Sequence, residues 1–230
     1  MNRAGRFVLG LLYPNRCGCC GEMIAYDAYF CEACTAALAH LHTPANAWSN
    51  LHAGEEFPWE QVFAVFTYRG AARAGLLNMK DGGRNFGEYA GEKLAETVKA
   101  SMDPEEISCV TWVPIGRRRR RMQGYSHAEL LGRTLAKAIG RPARGDLLTE
   151  KDSFLRQHHL NKEDRRVFAA RFQRTKADLT GQTVLLCDDV LTTGSTLTRC
   201  ASLLKEAGAR HVLAAVAAVR LKAPKEEKKP

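Results

Sequence analysis

One stretch near the end of the chain constrains its fold more than any other. The apolar run at 183–187 leads directly into Asp188 and Asp189, then into a turn of small hydroxyl residues and glycine, and then into an amphipathic helical pattern that begins at Ser195. A short uninterrupted apolar run is typical of a strand buried on both faces, as in a parallel sheet covered by helices. The sequence therefore predicts that two carboxylates and a polar turn meet at the carboxyl end of a buried strand.

The chain from residue 61 onward alternates in the same way between apolar runs and helical patterns. The predicted strands lie at 62–68, 107–113, 183–187 and 211–219. The predicted helices lie at 87–100, 126–139 and 195–207. Short strands separated by helices indicate an α/β fold, in which a parallel sheet has helices on both faces. We predict a metal-binding module at 1–44, a turn-rich linker at 45–60, this α/β domain at 61–222 and a charged tail at 223–230.

Composition and missing motifs exclude several classes of protein. Hydrophobic residues make up 45% of the 230 residues and charged residues 26%, which is too apolar for a disordered chain. The longest apolar run falls far short of the ~18–20 residues that cross a bilayer, and the N-terminus lacks a secretory pattern. We therefore expect a cytoplasmic protein without membrane insertion. Neither G-x-x-x-x-G-K-[ST] nor G-x-G-x-x-G is present, which argues against a P-loop ATPase and a Rossmann dehydrogenase.

The polar turn after the two aspartates has the composition of an anion-binding site. Free amides and the dipole at a helix N-terminus attract phosphate, hydroxyl side chains add donors, and glycine permits close backbone approach. The predicted phosphate-binding residues are Thr192, Thr193, Gly194, Ser195 and Thr196. Neighbouring carboxylates would repel phosphate unless they bind sugar hydroxyls or Mg²⁺, so the pattern favours a phosphorylated sugar with a metal-bound diphosphate. The simpler alternative is a helix cap, which needs one hydroxyl residue and not four.

Five of the eight cysteines lie between residues 17 and 34. Two C-x-x-C pairs, Cys17 with Cys20 and Cys31 with Cys34, have the spacing of a four-thiolate structural Zn²⁺ site. Cys19 is the surplus thiol and competes with Cys20 if the turn is drawn differently. A disulfide pair and a redox C-x-x-C are disfavoured, because no secretory signal is evident and no βαβ context surrounds the pairs. The other three cysteines are isolated in apolar segments and are expected to be buried hydrophobes: Cys109, Cys187 and Cys200.

The chain is strongly basic, with a net charge of +9. Residues 117–121 are five consecutive arginines, and 162–176 adds six further cations. Neighbouring side chains diverge, so some of the five must point outward and form a footprint for phosphates, including those of a nucleic-acid backbone. Tyr125 and Phe168 are candidates for stacking on the bases of a single strand. The alternative, a basic rim that only keeps the protein in solution and attracts a small anion, stays open at this point.

The segment LLCDDVLTTGST resembles the phosphoribosyl pyrophosphate (PRPP) loop of type I phosphoribosyltransferases. Together with the four-cysteine module, it makes the chain similar to the ComF family of competence-associated, phosphoribosyltransferase-like proteins, which includes the GntX-type members. The resemblance covers nearly the whole chain. Its other matching segments are Tyr68-Arg69-Gly70 leading to Met79-Lys80, Val113-Pro114-Ile115 before the arginines, Gly124-Tyr125 ahead of a helix, and Gln157-x-x-Leu160 with Arg165.

The resemblance implies a type I phosphoribosyltransferase fold that binds PRPP with Mg²⁺. Asp188 and Asp189 would bind the ribose hydroxyls and the metal, and residues 192–196 would hold the 5′-phosphate. Residues 114–118, including Arg117 and Arg118, would form a loop near the diphosphate, and Lys80 would reach the ligand. The chain departs from the family at 123–127, where Gln-Gly-Tyr-Ser-His replaces Arg-Gly-Phe-Asn-Gln, and at Phe168, where asparagine is usual. Both departures flank the side of the second substrate, so the acceptor stays open.

Three hypotheses about function follow. The first is a ComF-type protein that binds PRPP and handles single-stranded DNA during natural transformation, with a competence ATPase as a partner. The second is a catalytically silent nucleic-acid-binding module on the same fold. The third is a salvage or nucleotide-synthesis phosphoribosyltransferase with a small acceptor.

Overall fold

The structure is a computed structural model that describes residues 14–44, 47–52, 54–151 and 171–221. Its helices are α1 (Glu32–Ala39), α2 (Ala47–Leu51), α3 (Gly70–Lys80), α4 (Asn85–Ser101), α5 (Arg117–Gln123), α6 (His127–Ile139) and α7 (Ser195–Glu206). Its strands are β1 (Gln61–Thr67), β2 (Cys109–Trp112), β3 (Leu148–Glu150), β4 (Phe172–Arg174), β5 (Thr183–Leu191) and β6 (His211–Val219). A single 3₁₀ turn, Pro104–Glu106, precedes β2.

Four of the strands form a parallel sheet in the order β1-β6-β5-β2. The two central strands, β5 and β6, pair from Thr183 with His211 to Leu191 with Val219. The short strands β3 and β4 form a separate antiparallel pair. The predicted parallel α/β fold is therefore confirmed, and the carboxyl ends of the long central strands lie at one edge of the sheet.

Helices cover both faces of the sheet, and the side chains of β5 alternate between the two cores. Leu185 and Cys187 pack into one core with α3, α4 and α6, whereas Val184 and Leu186 pack into the other with α7. This alternation follows from the two-residue period of a strand, and burying each such leucine contributes about 1.5–3 kcal/mol. The three isolated cysteines are buried in these cores, as expected from their apolar surroundings.

The sequence of helix α6 explains where this helix begins and where it ends. The Ser126 hydroxyl accepts a hydrogen bond from the Glu129 amide and caps the helix at its N-terminus. Gly140 ends the helix in the left-handed conformation, with φ of 70°. Leu131 and Leu135 lie one turn apart on the buried face. The cap fixes the position of the first helical residue, His127, relative to the sheet.

The structure differs from the predicted elements in several places, and helices α1 and α3 and the β3–β4 pair were not predicted. Strand β5 continues four residues beyond 187, because β6 continues beside it and supplies hydrogen-bond partners. The predicted loop at 114–118 instead runs into helix α5, which begins at Arg117. The predicted linker at 45–60 contains helix α2, and Trp48 and Trp59 within it are buried in the core that also contains α7.

The N-terminal cysteine-rich module shares a core with the α/β domain. Phe30 packs against Phe86 of α4, with ring centroids 6.2 Å apart. The Asn85 side chain donates to the backbone carbonyl of Arg16 at 2.7 Å. A Cβ on Gly18 would lie 2.8 Å from the backbone nitrogen of Phe86, so the first cysteine turn sits directly on the start of α4. The module is thus packed against the same helix that covers the sheet.

Across the parts of the chain that the structure describes, none of the helices has the length and apolarity needed to cross a bilayer.

Candidate functional site

The predicted metal ligands come together as a single cluster. The thiol sulfurs of Cys17, Cys20, Cys31 and Cys34 all lie within 4.8 Å of one another. The Sγ atoms of Cys20 and Cys31 are 3.8 Å apart, which matches the edge of about 3.8 Å in a tetrahedron with Zn–S bonds of about 2.3 Å. Four thiolates fill every position of such a site, so the geometry fits structural Zn²⁺.

The local backbone explains why these four sulfurs converge. The Gly21 amide donates to the Cys17 carbonyl and closes the first turn, and Gly21 has a φ of 78° that favours glycine. Cys31 is the N-cap residue of α1, and Cys34 follows it within the first turn of that helix. Burial opposes ionisation of Cys17, but backbone amides including those of Cys20 and Cys31 lower its pKa to about 6. The thiolate that metal binding requires is therefore favoured at this position.

Cys19, the surplus thiol, is not one of the four mutually close sulfurs. It is buried, and burial together with the neighbouring thiols raises its pKa to about 12. Its side chain belongs to the core that joins the module to the domain. The structure thus gives Cys19 a packing role, while Cys20 faces the other three ligands.

The two aspartates lie in the part of β5 that extends beyond the end of the neighbouring strand β2. Strand β2 ends at Trp112, which pairs with Cys187, so beyond that point β5 is paired on the β6 side. The Asp188 carboxylate accepts a hydrogen bond from the Asp189 amide at 2.9 Å, and the Asp189 carboxylate accepts one from the Val190 amide at 2.8 Å. Both acids are therefore held at the carboxyl edge of the sheet while part of each side chain stays accessible.

The two carboxylates have unequal environments, as expected from alternation along a strand. Burial and then the negative charge of Asp189 raise the pKa of Asp188 well above its ordinary value, while Arg119 opposes the shift. Burial also opposes ionisation of Asp189, but the nearby His127 imidazole, together with the charge of Lys80, lowers its pKa. Asp189 retains 28% exposure. Ionisation is thus favoured at Asp189 and opposed at Asp188.

The hydroxyl residues after β5 form a small cup at the N-terminus of α7. The N-cap of α7 is Gly194, with φ of 77°, which has no side chain to cap the helix, and the Ser195 amide donates a long hydrogen bond of 3.5 Å to the Thr193 hydroxyl. Thr192, Thr193 and Ser195 are exposed, and the Thr193 and Ser195 hydroxyls lie 3.0 Å apart. These residues, with Asp188 and Thr196 among others, line a cavity of about 40 Å³. A capping contact therefore involves Thr193, and it does not account for all four hydroxyl residues.

Cations reach the cup from two neighbouring elements. The charges of Lys80, at the end of α3, and of Arg119, on α5, act on the two aspartates. In a helix, residues four apart share a face and residues two apart point in different directions, so Arg117 and Arg121 lie away from the side that carries Arg119. The five arginines are all exposed. The structure thus brings Lys80 and Arg119 towards the aspartates, whereas Arg117 lies on another side of α5.

Two residues near the cup escaped the sequence prediction. The sequence alone does not distinguish Arg119 from the four neighbouring arginines, because only the orientation of helix α5 shows which of them is directed towards the aspartates. His127 lies 3.8 Å from Asp189, measured from Nδ1 to Oδ2, and is 8% exposed. Its only signal in the sequence was its place in the stretch that departs from the family pattern.

The structure uses Tyr125 differently from the predicted base-stacking role. Its hydroxyl lies 2.8 Å from the Met79 carbonyl and 2.7 Å from the Gly83 carbonyl, and the Arg84 guanidinium lies over its ring. The ring is therefore engaged within the protein. The family-matching residues Gln157, Leu160 and Arg165 lie outside the described residues, as does Phe168, the other candidate for base stacking.

Comparisons with known proteins agree with this arrangement. Residues 146–230 match the phosphoribosyl transferase domain family, and residues 8–45 match the double zinc ribbon domain family. The chain is 24% identical over 214 residues to the DNA utilization protein YhgH of Escherichia coli O157:H7, covering 90% of this chain and 91% of the relative. It is 25% identical over 211 residues to the protein of the same name from Salmonella typhimurium, with the same two coverages.

Solved structures that resemble the chain include several phosphoribosyltransferases. A purine phosphoribosyltransferase from Pyrococcus horikoshii is 17% identical with a TM-score of 0.38, over 60% of this chain and 77% of that one. A hypoxanthine phosphoribosyltransferase from Staphylococcus aureus is 17% identical with a TM-score of 0.39, over 63% of this chain and 71% of that one.

The zinc-ribbon module, the parallel sheet and the family matches define a class of protein with a phosphoribosyltransferase-type domain behind a four-cysteine metal site. The YhgH relatives align with this chain over 90% of its length. These matches fit the resemblance to the ComF family that the sequence motifs indicated.

Proposed function

We propose that the cup at the end of β5 binds PRPP together with Mg²⁺. The observation that supports this most directly is the glycine N-cap of α7, which brings no side chain over the helix N-terminus, beside three exposed hydroxyl residues. A helix N-terminus without a side-chain cap offers its first amides to an anion, and the dipole favours negative charge there. The family match to phosphoribosyl transferase domains covers this segment.

Each group near the cup has a role in this proposal. Residues 192–196 would hold the 5′-phosphate through amides and hydroxyls. Asp188 and Asp189 would hold the ribose hydroxyls and Mg²⁺, because carboxylate oxygens are preferred ligands of that ion. Lys80 and Arg119 would face the diphosphate, since their charges already act on the aspartates.

In phosphoribosyl transfer, diphosphate leaves C1 of the ribose while positive charge develops on the ring. Mg²⁺, when bound, would supply neutralisation of the diphosphate charge. The task of the chain itself is then electrostatic: cations hold the leaving group, and the cup fixes the far end of the sugar. A panel of acceptors assayed for diphosphate release tests turnover separately from binding.

Calorimetry with PRPP and Mg²⁺ tests the binding site. We expect Asp188→Asn with Asp189→Asn to abolish the binding heat and the thermal stabilisation, which for saturation at about 100 Kd is about 2.7 kcal/mol. A matched control removes two carboxylates at the other edge of the sheet: Asp103→Asn with Asp178→Asn, where asparagine can still accept the turn hydrogen bonds. Equal binding by both double variants would refute the assignment.

The outward face of α5 supports the second part of the proposal, which is binding of single-stranded DNA. Arg117 and Arg121 lie one turn apart on that face and are exposed, and the chain carries a net charge of +9. The relatives are named DNA utilization proteins. The ComF resemblance gives the biological setting, in which the protein handles DNA during natural transformation with a competence ATPase as partner.

Fluorescence anisotropy with a labelled strand of about 20 nucleotides tests the DNA part. We expect Arg117→Ala with Arg121→Ala to weaken binding and to make the slope of log K against log salt shallower by ~1.4, since each lost phosphate contact on a single strand removes ~0.7. The control Arg73→Ala with Arg210→Ala removes two exposed arginines elsewhere. Arg119→Ala should weaken PRPP binding and leave the DNA slope nearly unchanged. The DNA assignment fails if the control pair weakens binding as much as the α5 pair.

A further inference from the structure

His127 is a buried side chain that faces one of the two aspartates of the cup. It is the first residue of α6, and its position is fixed by the Ser126 cap. Its Nδ1 atom lies 3.8 Å from Oδ2 of Asp189. The ring is 8% exposed, so this polar side chain is held inside the protein at the edge of the proposed ligand site.

The second ring nitrogen of His127 indicates where the ring proton lies. Nε2 is fully buried and has no hydrogen-bond partner among the residues that the structure describes. A proton on Nε2 would be a buried, unpaired donor, and such donors are rarer in proteins than under-satisfied acceptors. A proton on Nδ1 instead points to the Asp189 carboxylate. The geometry therefore favours the tautomer that carries its proton on Nδ1.

The Asp189 carboxylate is held from one side and faces His127 on the other. Its Oδ1 atom accepts the Val190 amide at 2.8 Å, while Oδ2 faces the imidazole. The separation of 3.8 Å exceeds hydrogen-bond length, so a small rotation of the carboxylate or ring would close the contact. An acid with one oxygen fixed by its own strand and the other directed by an imidazole has few orientations left.

Tyr125 supports His127 from behind. The two rings are in edge contact, with centroids 5.3 Å apart and planes at 77°. The Tyr125 hydroxyl bonds the carbonyls of Met79 and Gly83, on either side of the turn that follows Lys80. The imidazole therefore stands between a fixed tyrosine and the carboxylate, which limits its own movement.

We infer that His127 is a positioning residue for Asp189. Its Nδ1–H directs Oδ2, so that the carboxylate meets Mg²⁺ or the ribose hydroxyls in one fixed orientation. The inference rests on the proposed function, in which Asp189 holds those groups. Outer partners that orient a metal-binding carboxylate typically change affinity 10–100-fold when they are removed.

Two substitutions separate this role from simple packing. His127→Leu removes both nitrogens at similar volume, and His127→Asn retains a donor near the position of Nδ1. For His127→Leu we expect PRPP affinity to fall about 10–100-fold and the Mg²⁺ concentration for half-maximal PRPP binding to rise. For His127→Asn we expect affinity within a few-fold of the wild type. The melting temperature of free His127→Leu should equal or exceed that of the wild type, because an unpaired buried polar atom is lost.

Histidine ¹⁵N NMR of the free protein tests the tautomer independently of any ligand. We expect a protonated Nδ1 and an unprotonated Nε2 for His127. A proton on Nε2, unaltered PRPP binding by His127→Leu, or equal defects in the Leu and Asn variants would overturn the positioning role alone. Absence of Mg²⁺-dependent PRPP binding by the wild type, with the expected tautomer present, would overturn the proposed function and the positioning role with it.

Discussion

The four-cysteine site and the cup at the end of β5 both gather ionisable groups, but they differ in how far the protein itself fills the site. The four thiols lie within 4.8 Å of one another and leave no ligand position for a substrate. In the cup, the hydroxyls are exposed, the helix begins at a glycine N-cap, and burial and the charge of Asp189 oppose ionisation of Asp188. The protein itself supplies every ligand of the first site, whereas in our proposal the second site is completed by a ligand.

Stability should therefore respond in opposite ways at the two sites. Groups in the metal site contribute to the free energy of unfolding, since a preformed site is absent from the unfolded chain. In our proposal the groups in the cup serve ligand binding, and they lower the free energy of unfolding of the protein without its ligand.

The largest effect is expected from loss of the metal. Chelation of Zn²⁺, or Cys31→Ser with Cys34→Ser, should cost at least about 5 kcal/mol, which corresponds to a fall of about 10–20 °C in melting temperature for a chain of this size. Calorimetry with parallel zinc analysis measures both quantities. Cys19→Ser is the matched control, and it should retain one equivalent of zinc. If Cys19→Ser loses zinc to the same extent as Cys20→Ser, the assigned set of four zinc ligands is wrong.

A smaller loss of stability is expected from substitution of Tyr125, which packs against His127 beside the cup. Tyr125→Phe removes the hydroxyl that bonds the Met79 and Gly83 carbonyls, and it should cost about 1–2 kcal/mol because buried acceptors lose their donor. Chemical denaturation measures the change. Tyr26→Phe, at a more exposed tyrosine of the N-terminal module, is the control and should cost less. Equal losses would mean that the bonds of Tyr125 are unimportant.

A change of opposite sign is expected within the cup. Asp188→Asn should raise the stability of the free protein by about 1 kcal/mol, or about 2–4 °C, because the fold opposes the ionisation of Asp188 that the unfolded chain undergoes freely at neutral pH. The same substitution should weaken PRPP binding. Thermal unfolding with and without PRPP and Mg²⁺ measures both effects. A variant that is less stable than the wild type would place Asp188 among the groups that hold the fold together.

The smallest effect is expected at an ordinary surface ion pair, which serves as a baseline. Glu60 accepts hydrogen bonds from Lys205 at 2.6 Å and from the Val212 amide at 2.9 Å. Burial opposes its ionisation, but Lys205 and the Val212 amide lower its pKa. Glu60→Gln should cost about 0.5 kcal/mol at neutral pH, reduced by solvent screening.

The pH dependence of this baseline has a definite sign. Because the folded pKa of Glu60 is lowered, its contribution is present above the unfolded value of about 4.3 and is lost as the pH falls through the folded value. Urea denaturation at a series of pH values measures the difference between wild type and variant. A difference that grows on acidification would contradict the assignment.

Local patterns in the sequence were enough to predict the parallel sheet and the four zinc ligands. Thiol spacing and strand periodicity act over a few residues, so Cys17 could be paired with Cys20, and Cys31 with Cys34, before any fold was known. The four hydroxyls of the cup were also found in this way, because they follow one another in the chain.

Features that depend on distant partners could not be predicted from the same patterns. Strand β5 extends to Leu191 because β6 runs beside it, and neither strand alone shows this. Arg119 differs from Arg117 only through the phase of α5 against the sheet. His127 reaches Asp189 across 62 positions of sequence, and nothing in its own neighbourhood marks that contact.

The most direct test is a crystal structure of the protein soaked with PRPP and Mg²⁺. We predict that the 5′-phosphate lies against the first amides of α7, within reach of Thr193 and Ser195, with the ribose hydroxyls and Mg²⁺ on the side of Asp189. Well-diffracting soaked crystals with PRPP bound elsewhere on the protein, or with none bound although solution calorimetry shows saturation, would contradict the central claim that this turn is an anion-binding cup.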